Sequence, residues 1–196
     1  MGQVEKDPSD TSAATEEDSA FVRLEVLYLG FNRITDIAAL SLERMPHLLA
    51  VDLQGNNIGN LRGLNRCRTL VEVNLDGNKI RQLGPSSLFS GLNNLRKLRL
   101  EYNGLRTLSP GLAASTPALM SLSLAQNRIS DSSELDRLGV LPNLMELSVC
   151  GNPMARRPYS RLALLALFPS LAAVDSVDIT PEEKRMSKTI AGSNNA

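Results

Sequence analysis

The stretch LRKLRLEYN, Leu95 to Asn103, decides the fold. Side chains alternate between the two faces of a strand, so Leu98 and Leu100 face a core while Lys97 and Arg99 face away from it. Asn103 then brings two amide donors and a carbonyl acceptor into the bend that follows, enough to satisfy backbone groups that the turning chain leaves unpaired. The pattern returns as LEVLYLGFN from Leu24, LLAVDLQGN from Leu48, LVEVNLDGN from Leu70, LMSLSLAQN from Leu119 and LMELSVCGN from Leu144. Successive copies begin 22 to 25 residues apart, and asparagine recurs at Asn32, Asn56, Asn78, Asn103, Asn127 and Asn152. A helical protein that merely happened to be leucine-rich would have no reason to place asparagine in that register.

Between strands the apolar residues widen their spacing, as at Ile58, Leu61, Leu64, Cys67 and Leu70, which suits a tight helical or 3₁₀ return. No unit can bury its leucines alone, so neighbours must stack into a continuous column. Period and consensus agree with the leucine-rich repeat. The expected fold is therefore an α/β leucine-rich-repeat solenoid. It has a curved parallel sheet on the concave face, short helices or 3₁₀ turns on the convex face and a helical carboxyl-terminal cap.

The same reading divides the chain into a disordered acidic tail over 1–20, six repeats over 21–152, a cap over 153–179, and a short helix with a flexible tail over 180–196. In the cap, Pro158 suits a helix start, Leu162, Leu165 and Phe168 share one face, Pro169 stops the helix, and Leu171 and Val174 close the last repeat. Thr180 and Glu183 then form a capping box with Pro181 at the first helical position. That second helix has no evident partner in the sequence, and nothing before Phe21 reads as a cap. The block is therefore expected to belong to something larger or to meet another chain.

Lysine plus arginine number 21 and aspartate plus glutamate 21, so the summed charge offers no general attraction to nucleic acid or anionic membrane, and a charge-driven partner would have to meet a local patch. Tryptophan is absent and aromatics make up 4% of the chain, which leaves little for base stacking. The opening residues show no apolar run behind a basic start. The myristoylation motif wants Ser or Thr where Lys6 stands, so lipidation is set aside. Only Cys67 and Cys150 are present, without metal-ligand spacing, which fits a reducing, cytoplasmic setting. Catalysis needs a nucleophile, a base and an orienting group in reach of one another. The one histidine, His47, lies four repeats from Cys150, and no phosphate-binding glycine motif occurs. The sequence is read as a non-enzyme with no cofactor and no metal.

The runs from Leu24 to Ile58 and Leu70 to Leu83, with LMELSVCGNPMARRPYSRLALLALFPSLAAVD, resemble the final repeat block of the leucine-rich repeat-containing protein 9 family. The cap residues Asn152, Pro153, Tyr159, Arg161, Leu165, Pro169, Leu171 and Asp175 are similar to a cap shared by a wider group. That group includes the repeat-type axonemal dynein light chain, the leucine-rich regulatory subunit of protein phosphatase 1 and the leucine-rich spliceosomal partner protein. The resemblance implies protein binding with a ciliary or axonemal association, the alternative being a phosphatase subunit or a ribonucleoprotein-associated repeat protein. The phosphatase subunit repeats almost uniformly at 22 residues, whereas only the second interval here has that length.

The outward positions form the candidate protein-binding face. They are Val26, Tyr28, Asp52, Glu72, Asn74, Lys97, Arg99, Ser121, Ser123, Glu146 and Ser148, with the loop-side Phe31, Asp76, Glu101 and Tyr102. An apolar start, an acidic second quarter and a basic middle suit an oriented protein partner. Ordinary surface charge is the plain alternative. The uncovered edge of the first strand beside Val26, Tyr28 and Phe31 adds an expectation of self-association through the first repeat.

Overall fold

The structure is a computed structural model describing residues 21–138, 141–156 and 160–193. Each repeat motif contributes one three-residue strand: β1 Val26–Tyr28, β2 Ala50–Asp52, β3 Glu72–Asn74, β4 Lys97–Arg99, β5 Ser121–Ser123 and β6 Glu146–Ser148. They stand in chain order and pair in parallel, forming a curved, unclosed sheet. The register aligns equivalent positions of every repeat, so Leu27, Val51, Val73, Leu98, Leu122 and Leu147 run down one line. From Val51 onward that line is at most 2% exposed, as the alternation predicts.

The asparagines form the ladder that their side-chain chemistry implies. Asn78 Nδ2 donates to the carbonyls of Leu53 in the preceding repeat and Leu75 in its own, at 2.9 and 3.0 Å, while its Oδ1 accepts the Ile58 N–H at 3.0 Å. Asn56, Asn103, Asn127 and Asn152 repeat this three-way bridge. A second ladder at the entry to the strands was not read from the sequence: Thr69 Oγ1, Asn94 Nδ2, Asn143 Nδ2 and Ser170 Oγ each donate to a carbonyl one repeat back.

The returns on the convex side differ from repeat to repeat. They use 3₁₀ turns at Ala38–Leu40, Leu42–Arg44, Ser86–Phe89 and Pro153–Arg156, and the short helices α1 Leu112–Ser115 and α2 Ser133–Asp136. The stretch from Ile58 to Leu70 forms no helix. Its apolar residues recur every third position, and Leu64, Cys67 and Leu70 each donate to the carbonyl three residues before, so the backbone makes one bond per turn rather than a continuous helical series. Cys67 is buried there, and burial, then the nearby Glu43 charge, pushes its thiol up to about 11. It packs as a small hydrophobe.

The two ends contrast. At the carboxyl end α3, Ser160–Leu167, lays Leu164 and Leu165 over the last repeat with Phe168, Leu171 and Val174, all at most 6% exposed, whereas Leu162 is only half-buried. The chain then adds β7 Ala173–Val174, parallel to β6, and β8 Val177–Asp178, antiparallel to β7, a hairpin the sequence reading did not contain. Its turn residues Asp175 and Ser176 have φ of 52° and 63°, the left-handed pair of a tight hairpin turn. Asp175 Oδ1 accepts the N–H groups of Val149 and Cys150 at 2.6 and 2.8 Å. In an inner repeat the equivalent amide, that of Leu124, finds the next strand's Ser148 carbonyl instead. A carboxylate thus stands in for the missing next repeat.

The helix after the capping box is α4, Pro181–Ser193, with Thr180 N–H donating to Glu183 Oε2 and Glu183 N–H to Thr180 Oγ1. It does have a partner, contrary to expectation: α4 packs on α3, and Ser187 is buried between them. Arg161 locks the pair, donating from Nε to Glu183 Oε1 at 2.6 Å and from its other nitrogens to the carbonyls of Val174, Val177 and Asp178. Pro158 and Tyr159, the acidic stretch 1–20 and the last residues from 194 lie outside the described residues. At the amino end Leu24, Leu27, Leu29 and Ile34 are only partly buried, while Phe21 and Val22 are 51% and 41% exposed.

Candidate protein-binding face

Register gathers the candidate residues into rows. Val26, Ala50, Glu72, Lys97, Ser121 and Glu146 are successive partners, and so are Tyr28, Asp52, Asn74, Arg99, Ser123 and Ser148. Both rows point away from the core because the residue between them in each strand is the inward one.

Charge within these rows is largely self-satisfied. Lys97 Nζ lies 3.1 Å from Glu72 in the neighbouring strand, and the Arg99 guanidinium reaches Asp76 Oδ2 at 2.6 Å. Asp76 differs from its expected role. It is 8% exposed, and its Oδ1 also accepts the Glu101 N–H at 2.7 Å. It is a brace between repeats, with no free oxygen facing a partner. Asp52 and Asn74 also serve the local backbone, since Asp52 Oδ1 accepts the Gln54 N–H and Asn74 Oδ1 the Asp76 N–H. The acidic second quarter and the basic middle therefore neutralise each other across β3 and β4.

The aromatic residues are free of such duties. Tyr28 is 77% exposed, Phe31 80% and Tyr102 64%. Phe31 and Tyr102 occupy the residue just before the ladder asparagine, which every repeat holds in the left-handed region: glycine at Gly55, Gly77 and Gly151, but Phe31 at 57°, Tyr102 at 51° and Gln126 at 57°. A β-carbon at Gly55 would stand 2.6 Å from a Phe31 ring carbon, so the ring lies across that glycine and the next repeat has no side chain there to cover it.

Sequence reasoning counted only two outward positions per strand and missed a third. The residue after the first leucine of each copy includes Leu49, Met120 and Met145, which are 40%, 37% and 43% exposed along the sheet's entry edge. Met120 and Met145, with Arg96 and Pro142, border a shallow depression of about 550 Å³. The signal was legible: four of six copies carry an apolar residue at that place, Val71 being the fourth.

The face is arranged to bind. His47 and Cys150 are both exposed, and burial followed by the Asp175 and Glu101 charges raises the Cys150 thiol, the opposite of what activates a nucleophilic cysteine. Among the described residues no group of three His, Cys, Asp or Glu could hold a metal ion, and no helix is long and apolar enough to cross a membrane.

Comparison with known proteins follows the same geometry. The U2 small nuclear ribonucleoprotein A' of Schizosaccharomyces pombe is 31% identical over 136 residues, which are 69% of this chain and 54% of that protein. The chain thus spans about half the length of that relative. A leucine-rich-repeat protein of Leptospira interrogans superimposes with a TM-score of 0.65 at 26% identity, over 78% of this chain and 37% of the other. The Drosophila melanogaster SNF/U2A' complex superimposes with a TM-score of 0.55 at 21% identity, over 83% and 78%, a likeness of fold. A leucine rich repeat model matches residues 22–80 and 68–129, and the chain belongs to the leucine rich repeat family.

Proposed function

We propose that the chain is a docking scaffold that holds a protein partner on its concave face within a ribonucleoprotein assembly. The observation that carries this is the exposed aromatic end of the face: Tyr28 and Phe31 project from a rigid sheet and take no part in the column core. Aromatic side chains of this kind supply most of the energy in protein interfaces. The ribonucleoprotein setting comes from the relatives named above, two of which are called U2 proteins. We favour it over the ciliary setting implied by the resemblance to the protein 9 block and the cytoplasmic one read from the cysteines, because the relatives carry it. A phosphatase-regulating role has only the shared cap in its favour.

The test is affinity capture with the tagged full chain from nuclear and cytoplasmic extracts, with and without ribonuclease, alongside Tyr28→Glu and Phe31→Glu. The expected result is a protein partner that comes from the nuclear extract, survives ribonuclease and falls at least about tenfold with either variant, the loss typical of an aromatic anchor. Capture indifferent to both variants, or of a phosphatase catalytic subunit, overturns it. Self-association through β1 is a separate reading with its own measurement. Light scattering over a concentration series should show it, and a monomer throughout with first-strand amides protected like those of β4 ends it.

A further inference from the structure

Alternation does not stop at the ladder asparagine. The second residue after it, Ile34, Ile58, Ile80, Leu105, Ile129 or Met154, turns inward, and from Ile58 onward each is at most 3% exposed. The first and third residues after the asparagine must therefore face solvent together on the edge of the solenoid. Backbone bonds hold this edge in register, with Lys79 N–H donating to the Ile58 carbonyl, Gly104 N–H to that of Ile80 and Arg128 N–H to that of Leu105. Gln82 and Thr107 make a parallel bridge beside them.

These edge positions hold Arg33, Lys79, Arg81, Arg106 and Arg128, all exposed, and no carboxylate in any repeat. Among the described residues none of the five is ion-paired, in contrast to Lys97 and Arg99 on the concave face. The next residues along carry acid in the first and fifth repeats, Asp36 and Asp131, with Asn60, Gln82 and Thr107 between them. The chain's zero net charge therefore hides a segregation, with the carboxylates of the strand rows on one surface and, on the adjoining one, a cationic row continuous over the third to fifth repeats, the second repeat contributing only Asn57 and Gly59. Adjacent repeats are spaced like parallel strands, so Lys79, Arg106 and Arg128 lie within roughly 10 Å. That is close to the screening length at physiological salt, and they act on an anion jointly.

An aromatic precedes the row in the fourth repeat. Tyr102 precedes Gly104 by two residues, and a β-carbon on Gly104 would lie 3.4 Å from Arg81 Cγ, which places the arginine stem across the same turn. Tyr102 is 64% exposed on a left-handed backbone that three other repeats fill with glycine. Cations tracking a phosphate chain, interleaved with a solvent-facing ring, are the elements of sequence-tolerant single-strand recognition.

We propose that this turn edge is a single-stranded RNA contact that adjoins the concave face at Tyr102, engaging the phosphate backbone through Lys79, Arg81, Arg106 and Arg128 with a base stacked on that ring. An acidic protein segment would use the same cations but gain little from the ring. The proposal deepens the ribonucleoprotein reading above, and it modifies the expectation that the chain avoids nucleic acid.

The test is fluorescence anisotropy of a labelled oligouridylate with the full chain over a range of salt. Single-strand binding loses about 0.7 in log–log salt slope per cation removed, so Arg81→Gln/Arg106→Gln should lower the slope by about 1.4. Tyr102→Ala should weaken binding about fivefold or more with the slope unchanged. Coincident circular dichroism melts verify that the variants fold. An unchanged slope in the double variant overturns the proposal. So does polyglutamate that displaces the oligouridylate at equal charge while Tyr102→Ala has no effect, the result expected of an acidic protein site. Capture of the concave partner is read in parallel. Loss of oligouridylate binding with capture intact removes only the RNA edge, whereas failed capture with intact oligouridylate binding removes only the docking reading.

Discussion

Replacing Asn78 by alanine isolates the ladder from the leucine core. Its amide nitrogen serves the Leu53 and Leu75 carbonyls, but each keeps another donor, Asn56 Nδ2 for Leu53 and Asn103 Nδ2 for Leu75, both at 2.9 Å. The Ile58 N–H has no such reserve, because Asn78 Oδ1 is its acceptor and Ile58 is 0% exposed. One orphaned buried donor costs about 1–3 kcal/mol, and two lost secondary bonds add about 0.5–1.5 each, so Asn78→Ala should cost about 3 kcal/mol. At roughly 2–4 °C per kcal/mol for a chain of this size, the melting temperature should fall by about 6–12 °C. A water entering the vacated space would bring the loss toward the lower figure. Asn32 is the internal control: it is exposed and its amide bonds only to Leu29 and Gly30 of its own turn. Asn32→Ala should therefore cost less than about 1 kcal/mol. Calorimetry on both variants, with hydrogen exchange at the Ile58 amide, decides the matter. Equal losses at the two sites, or an Ile58 amide as protected in Asn78→Ala as in the parent, would refute the ladder as a stabilising element.

Leu98→Ala, at 2% exposure in the central repeat, should cost about 2–5 kcal/mol in urea melts. Lys97→Ala should stay within about 0.5, since its pair with Glu72 is over 40% exposed on both sides. A larger loss at Lys97 would mean that the strand register is off by one. Asp175→Ala strands the Val149 and Cys150 amides and should cost about 1–3 kcal/mol, with faster exchange at Val149 than at Leu124; equal exchange would remove the carboxylate from the cap. Glu183 is held below the ordinary glutamate value, first by the Arg161 hydrogen bond and then by the Thr180 N–H. A depressed carboxylate stabilises above its unfolded value and loses that contribution as pH falls through its folded one, so docking of α4 should weaken below about pH 4.3. Limited proteolysis of α4 should show this acid dependence in the parent and not in Glu183→Gln, and the same profile in both would count against it. Phe31→Gly relieves a left-handed phenylalanine and should leave stability unchanged or raise it by up to about 1 kcal/mol while partner capture falls. A clear destabilisation would make the ring structural.

The strands, their register and the asparagine ladder were legible because each rests on a period that every copy repeats. The core line through Val51, Val73 and Leu98 follows from alternation alone. The capping box was equally readable, since Thr180 and Glu183 are three residues apart and bond to each other's backbone N–H. What escaped depends on pairs distant in sequence. The β7–β8 hairpin, the docking of α4 on α3 and the Arg161 clasp all join residues whose proximity exists only after the cap has folded. The same holds for Asp76, which reads as one more loop-side acid until Arg99, 23 residues later, is brought beside it by the next repeat.

Repetition also separates what the fold needs from what it tolerates. At the residue before each asparagine the backbone must turn left-handed, and Gly55, Gly77 and Gly151 meet that need without strain. Phe31 and Tyr102 accept a conformation that disfavours their β-carbons, and they leave their rings in solvent instead of the core. No gain in packing offsets that choice, because the leucine column is complete without them from the second repeat onward. Backbone strain kept where the fold has no use for it is a mark of a site. Both rings stand at the turn between the concave face and the cationic edge, Phe31 over Gly55 and Tyr102 two residues before Gly104, which the Arg81 stem approaches. One row of turn residues therefore borders both proposed surfaces, with Phe31 at the docking end of the sheet and Tyr102 given to the RNA strand along the edge, so the same solenoid holds both partners if the protein engages the Tyr28 and Phe31 end.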